Sequence, residues 1–298
     1  AMRGDIIMDL NNMKIGFIGF GLIAGSIARA LRKEYPKITM IALNNRYPDV
    51  KLGLKQAVED KVLNELVPSI DEGFSSCDII YLAAPVITNI SYLPKIKPLL
   101  KEGAFITDVG SVKGDIHKAV TEAGLDSRFI GGHPMAGTEK SGYENSFIEL
   151  LENAYYILTP TDETPKETID TMLLITKATK SRSIVLSSDK HDIAAAAISH
   201  VPHILSYSLV NTVKDHDTEE EYMKQFAAGG FRDMTRIASS SPEMWQNIVM
   251  SNKDAVLTFL SQYLDTLEDF RQMLVNDDKD AIYNFFEKSK EYRDSFKF

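Results

Sequence analysis

The chain has 298 residues, a formal net charge of −9 and a single cysteine, Cys77. Typical domains run about 100–200 residues, so this length predicts two of them. The acidic balance argues against nucleic acid as a partner. The lone thiol excludes an internal disulfide and fits a reducing, cytoplasmic compartment. No apolar run reads as long enough to span a bilayer, so no membrane partner is expected.

Residues 1–12 lack the basic-then-apolar pattern of a secretory signal, and Met2, Met8 and Met13 all read as possible starts. Residues 14–18 form a short apolar run suited to a buried strand. Gly19-Phe20-Gly21-Leu22-Ile23-Ala24 follows at once, and Ile27, Leu31 and Tyr35 then recur at helical spacing. Strand, glycine turn and helix in that order give the dinucleotide fingerprint G-x-G-x-x-G/A. Gly19 permits the tight turn, Gly21 lets a pyrophosphate approach the backbone, and Ala24 lets helix and strand pack closely. The amides that open the helix, from Leu22 and Ile23 on, face the phosphates. The same turn also occurs in α/β proteins that bind no nucleotide.

Residues 38–43 read as the second strand, ending at Asn44-Asn45-Arg46. An acid usually stands about 20 residues past the glycines to hold the ribose 2′-hydroxyl. Asn44 stands there instead. Its amide can bond a hydroxyl without repelling a 2′-phosphate, and Arg46 could pair with one, so NAD and NADP are both open. Residues 51–60 read as a helix. Residues 78–84 form a strand ending at Ala84-Pro85, where proline stops the ladder. Further strands are predicted at 104–109, 129–132, 154–158 and 183–186, with helical patterns between most of them. Alternating strands and helices predict a mostly parallel, doubly wound α/β sheet. Ligands bind beyond the carboxyl ends of such strands, where Asn44, Ala84, Ser111 and His133 all fall.

Near Ser188 the pattern changes. No convincing strand follows. Asp189 reads as the N-cap of a long helix to Val213, bent at Pro202. Residues 215–221 are an acidic connection, and Gly229-Gly230 breaks the chain again. Ser241-Pro242 looks like a cap followed by proline at the first helical position. Residues 252–275 and 280–294 read as amphipathic helices. Val256, Phe259, Leu260, Tyr263, Leu264 and Leu267 make a broad apolar stripe, wide enough for dimerisation as well as core packing. The division expected is a Rossmann-type domain over 13–188 and an all-helical dimerisation domain over 189–298.

Four stretches are distinctive: Asp108-Val109-Gly110-Ser111-Val112-Lys113, the run from Phe129 through Gly132-His133-Pro134 to Thr138-Glu139, Ser199-His200-Val201-Pro202-His203, and Gly229-Gly230-Phe231-Arg232-Asp233-Met234-Thr235-Arg236-Ile237-Ala238 with Pro242 and Trp245 beyond it. In order and spacing they resemble the prephenate dehydrogenase family, which includes arogenate and cyclohexadienyl dehydrogenases. The resemblance runs from Met13 nearly to the end. The chain departs from the family at Ala24, where glycine is frequent, and at Asn44, where many members have aspartate.

The resemblance implies oxidative decarboxylation of prephenate to 4-hydroxyphenylpyruvate on the route to tyrosine, with hydride transfer to NAD(P)⁺. The ring hydroxyl must lose its proton as the carbonyl forms, and the ring carboxylate leaves as CO₂. That chemistry asks for a base, and an imidazole with a pKa near 6.5 can serve. The resemblance gives that role to His133, with Ser111 placed to bond both His133 and the substrate hydroxyl. Outside the motif, a strand-end histidine satisfied by a carbonyl and a helix-capping serine are ordinary readings. A substrate with two carboxylates also asks for a guanidinium. Here the resemblance implies Arg236, surrounded by Asp233 and Glu139, with Gly229, His203 and Trp245 at the substrate. An interdomain ion pair is the other reading of Arg236. Arg232 and Lys113 are weaker candidates for the carboxylates and read more readily as solvated charge, and His117, His191 and His216 read as surface or core residues. His200 and His203 lie at metal-ligand spacing, but no third ligand accompanies them, so no metal is expected. A small-molecule substrate and a homodimer complete the expectation. The rivals are arogenate specificity, a β-hydroxyacid dehydrogenase with a catalytic lysine, and a nucleotide-sensing module without chemistry.

Overall fold

The structure, a computed structural model, describes residues 9–138 and 140–296. It forms two compact units. One comprises residues up to Ala195 together with Pro242–Ser251, the other Ala196–Ser241 together with residues from Asn252 onward.

The first unit is built on β1 (Lys14–Ile18), α1 (Leu22–Glu34), β2 (Thr39–Leu43), α2 (Leu52–Glu59), β3 (Glu65–Val67), β4 (Ile79–Leu82), α3 (Val86–Ile96), β5 (Phe105–Asp108), α4 (Gly114–Glu122), β6 (Phe129–Pro134), β7 (Tyr155–Pro160), α5 (Lys166–Ala178), β8 (Arg182–Val185) and α6 (Ser188–Ala195). The strands make one sheet in the order β3-β2-β1-β4-β5-β6-β7-β8. Every neighbouring pair is parallel except β6 and β7, which run antiparallel with His133 opposite Ile157. Alternation along the strands feeds two cores. In β1 and β4, Ile15, Phe17, Ile79 and Tyr81 face the cluster shared with Ile27 and Leu31 of α1. Ile18, Ile80 and Leu82 face the opposite cluster, shared with Leu93 of α3 and Ile116 of α4. With both faces covered, the strands read as continuous apolar runs, as buried parallel strands do. The three-residue β3 escapes the sequence reading because it is too short to show a period.

The second unit contains α7 (Val201–His216), α8 (Tyr222–Phe226), α9 (Gly229–Thr235), α11 (Lys253–Val275) and α12 (Lys279–Asp294); α10 (Pro242–Ser251) clusters with the first unit. The helix expected to bend at Pro202 is instead interrupted by a π-helical turn, Ala196–His200. Pro202 sits in the first turn of α7, directly after that π-helical turn. The widened turn just ahead of it accommodates the proline within the helical run. Val256, Phe259 and Leu260 of α11 pack with Ala196, Val201, Ile204 and Leu205. Leu264 and Leu267, further along the same stripe, remain 56% and 48% exposed.

One expectation needs correcting. The helical run Ser188–His216 is 29 residues long and reaches a mean hydropathy of 1.4 over an 18-residue window, enough by length and composition to cross a membrane. Its buried polar groups are those of a packed protein helix: His191 bonds Asp192, and His200 bonds Asn252 at 3.0 Å.

Candidate active site

The turn after β1 shapes a cavity of about 640 Å³. Gly19 holds φ +84, and a Cβ there would meet the Ala83–Ala84 backbone at 2.5 Å. Glycine is therefore required by conformation and by contact. A Cβ on Gly21 would meet nothing within 4 Å, and Gly21 caps α1 without any side-chain hydrogen bond. The opening amides of a 13-residue helix are thus left for a ligand, which suits a pyrophosphate.

Of the expected cofactor residues, Gly19, Phe20, Gly21, Asn45, Ala84 and Pro85 line this cavity. Leu22 and Ile23 open α1 beside it. Asn44 is only 3% exposed; its Nδ2 donates to the Asp49 carbonyl at 2.9 Å, and its Oδ1 is buried without a partner among the described residues. Arg46 lies exposed in the following turn. Lys51, Thr88, Tyr143 and Glu144, which the sequence reading did not single out, also line the cavity. They come from loops and helices that no motif marks.

His133 is the penultimate residue of β6, half-buried, at the carboxyl edge of the same sheet. A Cβ on Gly132 would stand 2.6 Å from the Asp108 carbonyl, so only glycine lets the strand come this close to β5. Asp108, the last residue of β5, binds this edge together. Its Oδ1 accepts Gly132 N at 3.1 Å, its Oδ2 accepts Gly110 N at 2.9 Å, and Lys113 Nζ pairs with Oδ2. Lys113 Nζ also donates to the Gly132 carbonyl at 2.7 Å. Lys113 is thus fully buried, contrary to the expectation of solvated charge. Burial lowers its pKa while Asp108 and Asp192 work to raise it.

Behind His133 runs a chain of hydrogen bonds. His133 Nδ1 lies 2.7 Å from His191 Nε2, and His191 Nδ1 lies 2.7 Å from Asp192 Oδ1. Asp192 accepts the backbone N–H of Lys113 at 2.8 Å and of Gly114 at 2.7 Å, at the head of α4. Burial tends to raise the Asp192 pKa, but the bonds from His191 and the two amides outweigh it and hold the carboxyl below its ordinary range. His191 is 1% exposed. The sequence reading takes His191 as a surface or core residue and does not single out Asp192. The signal was a His-Asp pair opening a helix in a chain with six histidines. Ser111 lies half-buried in the bend after β5.

In the second unit, His203 of α7 donates from Nδ1 to the Ser199 carbonyl, 2.8 Å away. Burial pushes its pKa down, the carbonyl opposes this, and the positive charge of Arg236 adds to the fall. His203 and Arg236 are therefore electrostatic neighbours. Gly229 opens α9. Asp233, expected in a network around Arg236, pairs with Arg232 at 3.5 Å. Trp245 lies half-buried on α10. Glu139 lies outside the described residues.

Residues 27–185 match the sequence model for "Prephenate dehydrogenase, nucleotide-binding domain", and residues 187–288 that for "Prephenate dehydrogenase, dimerization domain". The chain is 36% identical over 292 residues to the prephenate dehydrogenase of Bacillus subtilis (strain 168), covering 96% of this chain and 77% of that one. It superimposes with a TM-score of 0.85 and 30% identity on the A. aeolicus prephenate dehydrogenase bound to hydroxyphenyl propionate and NAD⁺, covering 94% and 97% of the two chains. The Synechocystis arogenate dehydrogenase gives a TM-score of 0.85 at 28% identity, covering 95% and 99%.

Proposed function

The chain belongs to the prephenate dehydrogenase family, and from that premise we propose how its residues perform the reaction. It is an NAD-dependent dehydrogenase that converts prephenate to 4-hydroxyphenylpyruvate by oxidative decarboxylation, a step in tyrosine biosynthesis. The observation that carries the assignment of roles is His133 at a sheet's carboxyl edge, its Nδ1 engaged by a buried partner.

NAD⁺, when bound, supplies the hydride acceptor. Gly19, Phe20, Gly21 and the opening amides of α1 (Leu22, Ile23) hold the pyrophosphate. Asn44, Asn45 and Arg46 border the adenosine side, and Ala84 and Pro85 the wall after β4. His133 accepts the proton of the ring hydroxyl as the carbonyl forms, help worth about 10²–10⁴-fold. Ser111 orients that hydroxyl. Loss of the ring carboxylate as CO₂ then leaves an aromatic ring. Arg236 is assigned a substrate carboxylate, which a guanidinium binds bidentately, His203 the pyruvyl side chain, and Gly229, Asp233, Glu139 and Trp245 further substrate contacts. Residues 13–188 form the dinucleotide-binding domain and residues 189–298 the helical substrate and dimerisation domain. The protein works as a cytoplasmic homodimer. The exposed Leu264 and Leu267 on α11 support the dimer, because contiguous exposed apolar surface marks an interaction face.

A four-way rate comparison tests this reading: prephenate or arogenate, each with NAD⁺ or NADP⁺. Turnover is expected to be fastest with prephenate and NAD⁺. A higher kcat/KM on arogenate would move the substrate assignment to the second reading, which the Synechocystis likeness favours. His133→Asn is expected to lower kcat much more than it raises KM; wild-type kcat in that variant would remove His133 from the mechanism.

A further inference from the structure

We propose that His191 and Asp192 form a buried relay that fixes the tautomer of His133, leaving Nε2 as its proton acceptor, and that carries the charge His133 gains on taking a proton. This rests on His133 being the base. Both His191 and Asp192 are positioning residues, since they act through His133.

The direction of each bond follows from the far end. Both Asp192 oxygens accept backbone N–H groups at the head of α4, and Oδ1 also meets His191 Nδ1. An ionised carboxylate only accepts, so the proton of that bond sits on His191 Nδ1. With its one ring proton on Nδ1, His191 offers a lone pair at Nε2, and the 2.7 Å contact puts a proton on His133 Nδ1. A neutral imidazole carries one ring proton, so His133 Nε2 is left as the acceptor. When Nε2 takes the hydroxyl proton, His133 becomes an imidazolium whose Nδ1–H already points down a chain ending in a negative charge. The same arrangement, an acid holding a general-base histidine in one tautomer, recurs on unrelated folds.

The surrounding charges leave that negative charge in place. Lys113 and Asp108 face the relay from the start of α4 and from β5, but they neutralise each other. His117 of α4, its pKa lowered chiefly by burial, bonds Thr159 of β7 at 2.9 Å. Burial also pushes the Tyr156 phenol on β7 upward, so it stays protonated. Asp115 and Lys118 of α4 and Asp189 and Lys190 of α6 are exposed to solvent. Asp192 is thus the buried charge aligned with His191.

Two measurements test the relay. Histidine-selective ¹⁵N NMR of the wild-type protein at neutral pH reads the tautomer without turnover. His133 protonated at Nδ1 and bare at Nε2 is expected; the opposite tautomer overturns the proposal. His191→Leu is expected to lower kcat by about 10²-fold, the scale of general-base help, with KM for prephenate and NAD⁺ within about twofold. The rising limb of its kcat/KM–pH profile is expected to shift to lower pH, because the imidazolium loses its support. His191→Gln, whose amide oxygen can still accept from Nδ1–H, is expected to recover part of kcat. An unchanged kcat and an unshifted limb in His191→Leu overturn the relay, and if that variant does not fold, the NMR result decides. Failure of the base reading is separable: His133→Asn would then keep wild-type kcat whatever tautomer the NMR shows.

Discussion

At the end of β5, Lys113 reaches back to Asp108 with side chains 0% and 2% exposed, whereas on α9 Arg232 pairs with Asp233 at 79% and 76% exposure. Each is a cation beside an acid close to it in the chain, five residues away in the first case and adjacent in the second. The first is surrounded by amides and carbonyls that complete its hydrogen bonding and tie β5, β6 and the head of α4 together. The second lies in water, where the attraction is screened and side-chain entropy offsets most of the gain. Burial, not the presence of opposite charges, decides which pair shapes a site. A buried pair costs much to break because the surviving charge is stranded.

The sharpest way to break this contrast is Lys113→Met. It leaves Asp108 ionised and sealed, and is expected to destabilise the fold by about 3–5 kcal/mol in chemical denaturation. A loss below about 1 kcal/mol would mean that the amides alone satisfy Asp108. Next, Arg236→Gln removes a charge-assisted contact of about 1.5–3 kcal/mol, so KM for prephenate is expected to rise about 10- to 100-fold. If steady-state kinetics show no change in KM, Arg236 does not hold the substrate.

Acid titration probes the buried side more gently. The folded Asp192 carboxyl titrates below its ordinary value, near 3.9 in an unfolded chain. Its contribution is therefore fully present above about pH 4 and drains away as pH falls through the lower, folded value. Asp192→Asn is expected to flatten the fall of the unfolding midpoint below about pH 4, and a slope equal to wild type would refute that contribution. The smallest effect belongs to Arg232→Ala, for which the melting temperature is expected to stay at the wild-type value; a clear loss would show that this exposed pair does stabilise the fold.

Much of the first unit was legible beforehand. Strand periods, the glycine turn and His133 at a strand end are local patterns, and the structure places these elements where the pattern put them. Less of the site's support was legible. Lys113 looked like solvent-facing charge because nothing local says that Asp108 and the Gly132 carbonyl will close over it. Asn44 stood where an acid often holds a ribose, yet its amide is spent on the Asp49 carbonyl. Pro202 marks an irregularity in the long helix, but only the structure shows its form, a π-helical turn over Ala196–His200 just ahead of the proline.

By itself the sequence determined the alternating α/β plan, the all-helical second part and the motifs that mark a family, since hydrophobic period and glycine geometry act over a few residues. Only the tertiary structure decided that Gly132 must press on Asp108, that α10 clusters with the first unit, and that His191 stands behind His133. Those outcomes join residues far apart in the chain. They depend on which groups lose water together, and that is settled when the elements pack.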